Sequence, residues 1–321
     1  VALADNTILI TFTEAVAPLT IMDFETSLSG GTALIGAAAL GFDGDRGQKG
    51  DTWRLALRWP NARWNGHLGW EHISSDYDPP LGFIALQGVN RLRARAHYTH
   101  HYKDPKQPLR NLQATPVDVY AELEDDSGEW SHYRVEVVPL EAVTRSGMWA
   151  KTALMLRGFQ LSEPWEILSD FSAPAGTHHD WGAQAMFANG WHRQINVFML
   201  LEESQYFGAS RSRVRFWTQW KASPHFRAST SNTLYWIRHQ GDHTVARTHN
   251  LRTRVSLNRR WHSSLFGQWN SESEEALINA RVRWIPRPGA DVYLVLNQAF
   301  DPDWNAAGTS IQAKIAWRYG L

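Results

Sequence analysis

Five pairs of arginines stand two or four residues apart along the chain: Arg54 with Arg58, Arg93 with Arg95, Arg213 with Arg215, Arg252 with Arg254, and Arg281 with Arg283. A guanidinium stays cationic at physiological pH and presents a planar fork of donors, so such rows attract and hold anions. In an extended strand, where successive side chains point to opposite sides, even spacing puts both members of a pair on one face, and a spacing of two does not do so in a helix. The intervening positions agree with that geometry. Trp53, Leu55, Leu57 and Trp59 interleave with Arg54 and Arg58, and Ala276, Ile278, Ala280, Val282 and Trp284 alternate with Asn279, Arg281 and Arg283. The acids expected on the arginine parity, Asp118, Glu122 and Glu136, are fewer and lie on other strands. A competing reading is that acids folded in from loops neutralise the arginines, which then only fill a polar interior.

Other combinations carry less chemistry. His100-His101 and His178-His179-Asp180 contain neighbours that a regular strand sends to opposite faces, so neither pair can chelate one ion. Glu202-Glu203 fails as a pair of cooperating carboxylates for the same reason. The loops Gly41–Asp45 and Asp301-Pro302-Asp303 lack the ligand spacing of a calcium loop and read as solvated turns. Ser256 and His262 fall on adjacent expected strands, but nothing in the sequence distinguishes that serine from others. With no cysteine, thiolate chemistry and disulfides are excluded. The expectation is a protein without catalytic, metal or cofactor-binding residues, and not an enzyme.

The elements that must position the arginines recur with a regular rhythm. From about Thr32 onward, strand-length segments alternate with short turns and longer connections, giving about sixteen strands of about ten residues each. Turn signals include Pro60-Asn61, Asn189-Gly190, Ser223-Pro224, Asn258-Arg259 and Pro286-Arg287-Pro288-Gly289. A β-propeller would also supply many short strands, but it predicts an internal repeat of roughly forty to fifty residues, and none is visible. The 17 tryptophans in a chain of mean hydropathy −0.41 fit a membrane interface, where the ring is apolar and its N–H seeks water. Trp53, Trp59, Trp64, Trp70, Trp220, Trp284 and Trp317 are the expected interface aromatics. No apolar run reaches the roughly 20 residues of a spanning helix. The expected fold is therefore all-β: a transmembrane up-and-down antiparallel β-barrel over 32–321, with 1–31 as an N-terminal extension or plug-like segment. A chain starting at Val1 without a basic leader is read as trimmed or partial.

Several connections carry a resemblance. Asp76-Tyr77-Asp78-Pro79-Pro80-Leu81-Gly82-Phe83 resembles the D-F-N-P-E-x-G-F loop of an uncharacterised bacterial outer-membrane barrel family. Leu161-Ser162-Glu163-Pro164-Trp165-Glu166-Ile167 is similar to its L-x-E-P-F-E-I segment, and Pro174-Ala175-Gly176 to the P-x-G that follows. Trp269-Asn270-Ser271-Glu272-Ser273 is similar to its Y-N-S-E-S, and Arg287-Pro288-Gly289 with Leu294-Val295-Leu296-Asn297 to its R-P-G-S-D-L-F-L-V-Y-N. In that family the barrel usually follows a carbohydrate-binding module of the family-nine type, which this chain does not contain. The end, Arg318-Tyr319-Gly320-Leu321, departs from the terminal aromatic of outer-membrane strands. The resemblance implies integral placement in a bacterial outer membrane.

A formal net charge of zero supplies no whole-molecule field for nucleic acid. The expected partners are membrane lipid, other envelope proteins and a small solute. The expected function is a porin-like pore for passive passage of small hydrophilic, in particular anionic, solutes. The alternative is a structural anchor or scaffold holding a soluble domain or partner protein at the outer membrane.

Overall fold

The computed structural model describes residues 8–12, 19–27, 31–43, 47–77, 86–168 and 171–317. The Asp78–Phe83 part of the first resembling loop, the 44–46 loop tip and residues 318–321 lie outside them. Among the described residues there are twenty β-strands and no helix longer than a single 3₁₀ position. Two compact units divide the chain: Val1–Ala142, Thr152–Trp165 and Ala173–Ala183 make the first, and Val143–Lys151, Glu166–Ser172 and Gln184–Leu321 the second.

In the first unit the strands are β1 (Ile8–Phe12), β2 (Leu19–Ser27), β3 (Ala33–Asp43), β4 (Gly47–Trp59), β5 (Trp64–Ile73), β6 (Val89–His101), β7 (Leu109–Glu124), and the bulk of β8 (Trp130–Thr144) and β9 (Trp149–Leu161). Each of β1 to β7 pairs antiparallel with the next. A short ladder, β10 (Trp165–Leu168) with β11 (Phe171–Ala173), interrupts the succession before β12 (Gly176–Ala188). The second unit carries β13 (Ile195–Tyr206), β14 (Ala209–Lys221), β15 (Phe226–His239), β16 (Asp242–Ser256), β17 (Trp261–Asn270), β18 (Ala276–Trp284), β19 (Ala290–Phe300) and β20 (Ala306–Trp317). Again every strand pairs antiparallel with its chain neighbour. The chain is all-β with up-and-down order, as the alternating sequence requires.

The sixteen expected strands correspond to β3–β9 and β12–β20. Two differences stand out. First, β2 pairs with β3 along its whole length, from Leu19↔Gly41 to Ser27↔Ala33, so strand pairing crosses the boundary expected at residue 31. Second, the alternation of long and short connections is less regular than the sequence implies. β13 and β14 are joined by Phe207-Gly208 alone, and β15 and β16 by Gln240-Gly241. All four residues have positive φ (51°, 85°, 50° and 96°), which is the two-residue turn that matches strand twist. The strands simply continue through stretches that composition marks as loop, because ladder hydrogen bonds satisfy the backbone there.

Burial is inverted relative to a water-soluble protein. Buried hydrophobic side chains are few and form small clusters, such as Ile73, Tyr77 and Val89 with Ala39 packed against them. Large apolar side chains lie exposed in rows. On β18–β20 the ladder sets Val282 beside Leu294, Leu296 beside Ile311, and Val292 beside Ile315, which is 71% exposed. Contiguous apolar surface of this extent needs something other than water against it.

Close approach fixes several glycines, and Gly158 is the tightest of them. A Cβ on Gly158 would lie 2.0 Å from the Tyr133 ring, whose hydroxyl meets His179 Nδ1 at 2.9 Å. Gly158→Val is expected to displace that ring and lower stability by about 1–3 kcal/mol. Denaturant titration checks the cost, and the change in Tyr133 environment is read by near-UV circular dichroism.

Candidate functional site

Ladder register decides which side chains share a face. In the first unit three rows cross β4, β5, β6 and β7. Arg54 stands opposite Glu71, then Arg91, then Glu122. Next come Ala56, Gly69, Arg93 and Tyr120, and then Arg58, His67, Arg95 and Asp118. The acids are committed within these rows. Arg91 donates through Nε to Glu122 at 3.1 Å and through Nη1 to Glu71 at 3.3 Å. Arg95 sits 3.7 Å from Asp118, and the Tyr120 hydroxyl donates to Glu122. Arg93 lies over the Tyr120 ring, 5.3 Å from its centroid, which is a cation–π contact. Arg54 and Arg58 form no hydrogen bond or ion pair with any described residue.

The middle row has a methyl at Ala56 and no side chain at Gly69. A hollow of about 330 Å³ results, bordered by Arg54, Arg58, Arg91, Arg93, His67 and Glu71.

In the second unit the polar face carries more cations still. Lys221 stands opposite Arg227, Arg227 opposite Arg254, Arg254 opposite Ser264, and Ser264 opposite Arg281. Like charges directly opposed across a ladder are destabilising unless water or counter-ions screen them. Arg252 lies over the Phe266 ring at 4.9 Å and Arg281 over Tyr293 at 4.4 Å. Arg283 pairs through Nε with Asp291 at 2.7 Å.

Of the ten arginines singled out by spacing, Arg95, Arg213 and Arg283 have a carboxylate partner. The other seven, Arg54, Arg58, Arg93, Arg215, Arg252, Arg254 and Arg281, pair with none among the described residues. The three partners, Asp118, Glu202 and Asp291, sit in strands, not in loops folded inward.

One cluster escaped the reading of spacing. Glu202, dismissed with Glu203 as a carboxylate pair, is 1% exposed and accepts from four groups. Arg211 Nη2 and Arg213 Nη2 each approach it at 2.6 Å, Gln184 Nε2 at 2.7 Å and Ser204 Oγ at 3.1 Å. Glu203 points to the other face, where Arg238 meets it at 2.9 Å. Parity correctly separates the two carboxylates, but it does not reveal which of them is buried.

The histidine pairs also divide as parity requires. His178 Nε2 meets the Pro174 carbonyl at 2.8 Å while His179 turns to Tyr133, and His101 Nδ1 meets Asn111 while His100 packs edge-on against Tyr102. Ser256 and His262 stand directly opposite each other, with Oγ and Nδ1 3.0 Å apart. A nucleophilic serine needs its imidazole oriented by a third group, and no carboxylate among the described residues bonds His262. Asp301 serves its own turn, accepting from the Asn305 backbone at 2.7 Å.

The expected interface tryptophans all lie on the apolar parity. Trp53, Trp64, Trp220, Trp284 and Trp317 are exposed, and Trp59 and Trp70 half-buried. Trp261 adds to them, stacked on Trp284 at 5.6 Å with an interplanar angle of 17°.

No family model matches the chain, and no curated protein does. The resemblance of the connecting segments to an outer-membrane barrel family therefore rests on those segments alone. Among solved structures the chain is similar to one titled "Copper transporter OprC", with a TM-score of 0.45 and 9% sequence identity, over 98% of this chain and 72% of that one.

Proposed function

We propose that this chain is an integral outer-membrane β-barrel in which the up-and-down strands close on themselves. Lipid covers the apolar parity, and the polar parity lines a passage for small hydrophilic, preferably anionic, solutes. The observation that carries this reading is the unneutralised cationic row Lys221, Arg227, Arg254 and Arg281, presented on the face opposite to exposed Leu265, Val282 and Leu294. A water-soluble protein inverts that arrangement, burying the aliphatics and exposing the charges. Opposed guanidiniums without acids are tolerable where water and mobile anions screen them. Rings of Arg or Lys then favour anions by Coulomb attraction in a confined medium. The exposed tryptophans at strand ends fit the two interfacial belts of such a wall.

Reconstitution into planar bilayers under a potassium chloride gradient tests the reading. Discrete conductance steps are expected, with a reversal potential displaced toward that of chloride. The double variant Arg227→Glu/Arg254→Glu is expected to lower or invert the chloride preference. Absence of steps over many insertions, with a stoichiometric partner co-purifying, favours the anchor or scaffold role instead.

A further inference from the structure

The polar face of the first unit holds a feature that a uniformly charged wall would lack. Rows of full-sized side chains lie on either side of the Ala56–Gly69 row, and the gap between them is the 330 Å³ hollow. That volume is at the lower end of small-molecule sites. It is also electrostatically sorted. Both nearby acid-bound cations are satisfied, Arg91 by Glu71 and Glu122 and Arg95 by Asp118. Arg54, Arg58 and Arg93 border the same hollow, each without a carboxylate partner among the described residues, and Glu71, the acid on its wall, is held by Arg91. Three forks of donors thus border one small space.

We propose that the hollow between β4, β5 and β6 is a subsite for the phosphoryl group of small phosphorylated solutes. The argument is one of oxygen count and direction. A carboxylate has two coplanar oxygens, which a single guanidinium saturates by a bidentate pair. A phosphate monoester carries close to two charges at neutral pH and three terminal oxygens pointing in three directions. Three guanidiniums without a carboxylate partner match three such oxygens, and each charge-assisted contact is roughly twice as strong as a neutral one. The Cβ that Gly69 lacks would meet Ala56 Cβ and the Leu55 carbonyl at 3.7 Å, ordinary contact distances. Gly69 is therefore not demanded by packing, and a side chain there would occupy the hollow. The inference rests on the pore reading only for how solute arrives.

The test uses the full chain in planar bilayers in potassium chloride, with glycerol 3-phosphate as probe and succinate as the dicarboxylate comparison. A saturable, concentration-dependent block of the chloride current by glycerol 3-phosphate is expected, with succinate at least tenfold weaker. Arg54→Gln/Arg93→Gln is expected to weaken the block by about tenfold or more, which corresponds to about 1.4 kcal/mol. Gly69→Val should abolish it by filling the space with every arginine retained. Should the glutamine variant fail to fold, Arg93→Lys keeps the charge but removes the fork, and loss of block follows there too. Equal block by succinate overturns the phosphoryl assignment. Chloride conductance with no saturable block by either probe overturns the subsite and leaves the pore standing. If no conductance appears, titration calorimetry of glycerol 3-phosphate into the detergent-solubilised chain decides. Binding lost in Arg54→Gln/Arg93→Gln supports the subsite without the pore, and no binding overturns it.

Discussion

Leu265→Arg is expected to destabilise the chain refolded into lipid by about 2–4 kcal/mol if lipid covers the apolar face as proposed, the cost of a cation near the midplane of a membrane barrel. Leu265 is the position to choose because β17 supplies its own depth markers. Trp261 and Trp269 lie on the same parity, four residues to either side, or about 13 Å each way at the rise of a strand. The side chain is 41% exposed and its ladder partners are Thr253 and Ala280, so no core contact is lost by replacing it. On a water-exposed surface the same substitution belongs to the class that changes stability by no more than about 0.5 kcal/mol. The two environments therefore predict different results from one mutation. Urea titration of the chain refolded into lipid vesicles, followed by tryptophan fluorescence, measures the difference. A cost below about 0.5 kcal/mol would remove lipid from the apolar face and the membrane reading with it.

The same alternation explains what was legible in the sequence. Parity is local: Arg281 and Arg283 declare their face by their neighbours Ile278, Val282 and Trp284, whatever strand lies beside them. All sixteen strands and the apolar placement of the interface tryptophans follow from that local signal. Arg91 was equally legible, since Arg91, Arg93 and Arg95 share one parity. Register is not local. Nothing within Thr52–Trp59 or Trp64–Ile73 says that Ala56 will stand opposite Gly69, so the hollow they create is invisible until the strands are paired. Nor does local pattern show that Glu122 will take Arg91 and leave Arg54 unpaired. Strand ends are hidden for a related reason. Residues 204–211 mix Ser204, Gly208, Ser210 and Arg211 in the manner of a loop, yet a two-residue turn at Phe207-Gly208 lets both strands run on. Before residue 32 local pattern carries little, because β2 follows no clear alternation and is identified by its pairing with β3.

Register also assembles the cluster whose loss should cost most in the second unit. Glu202 stands opposite Arg213, and Ser204 opposite Arg211, which brings one buried carboxylate between two guanidiniums. Glu202→Ala is expected to destabilise the fold by about 3–5 kcal/mol, because it strands two cations that were drawn out of water against a partner. Arg211 is the more dependent of the two. It is only 10% exposed, with an Nε unbonded as that of Arg213 is, so its remaining contacts would be the Tyr206 and Tyr235 rings, 4.1 and 5.9 Å from the guanidinium carbon. Arg213, at 24% exposure, can recruit water more readily. Removing all three charges together, as Glu202→Leu/Arg211→Met/Arg213→Leu, is expected to cost much less than the single change, since the desolvation of every ion is relieved at once. Urea titrations of the single and triple variants in the same vesicles give the comparison. A triple variant less stable than Glu202→Ala would mean that the ion cluster contributes net stability beyond its own desolvation, and that its guanidiniums are held for the fold more than tolerated by it.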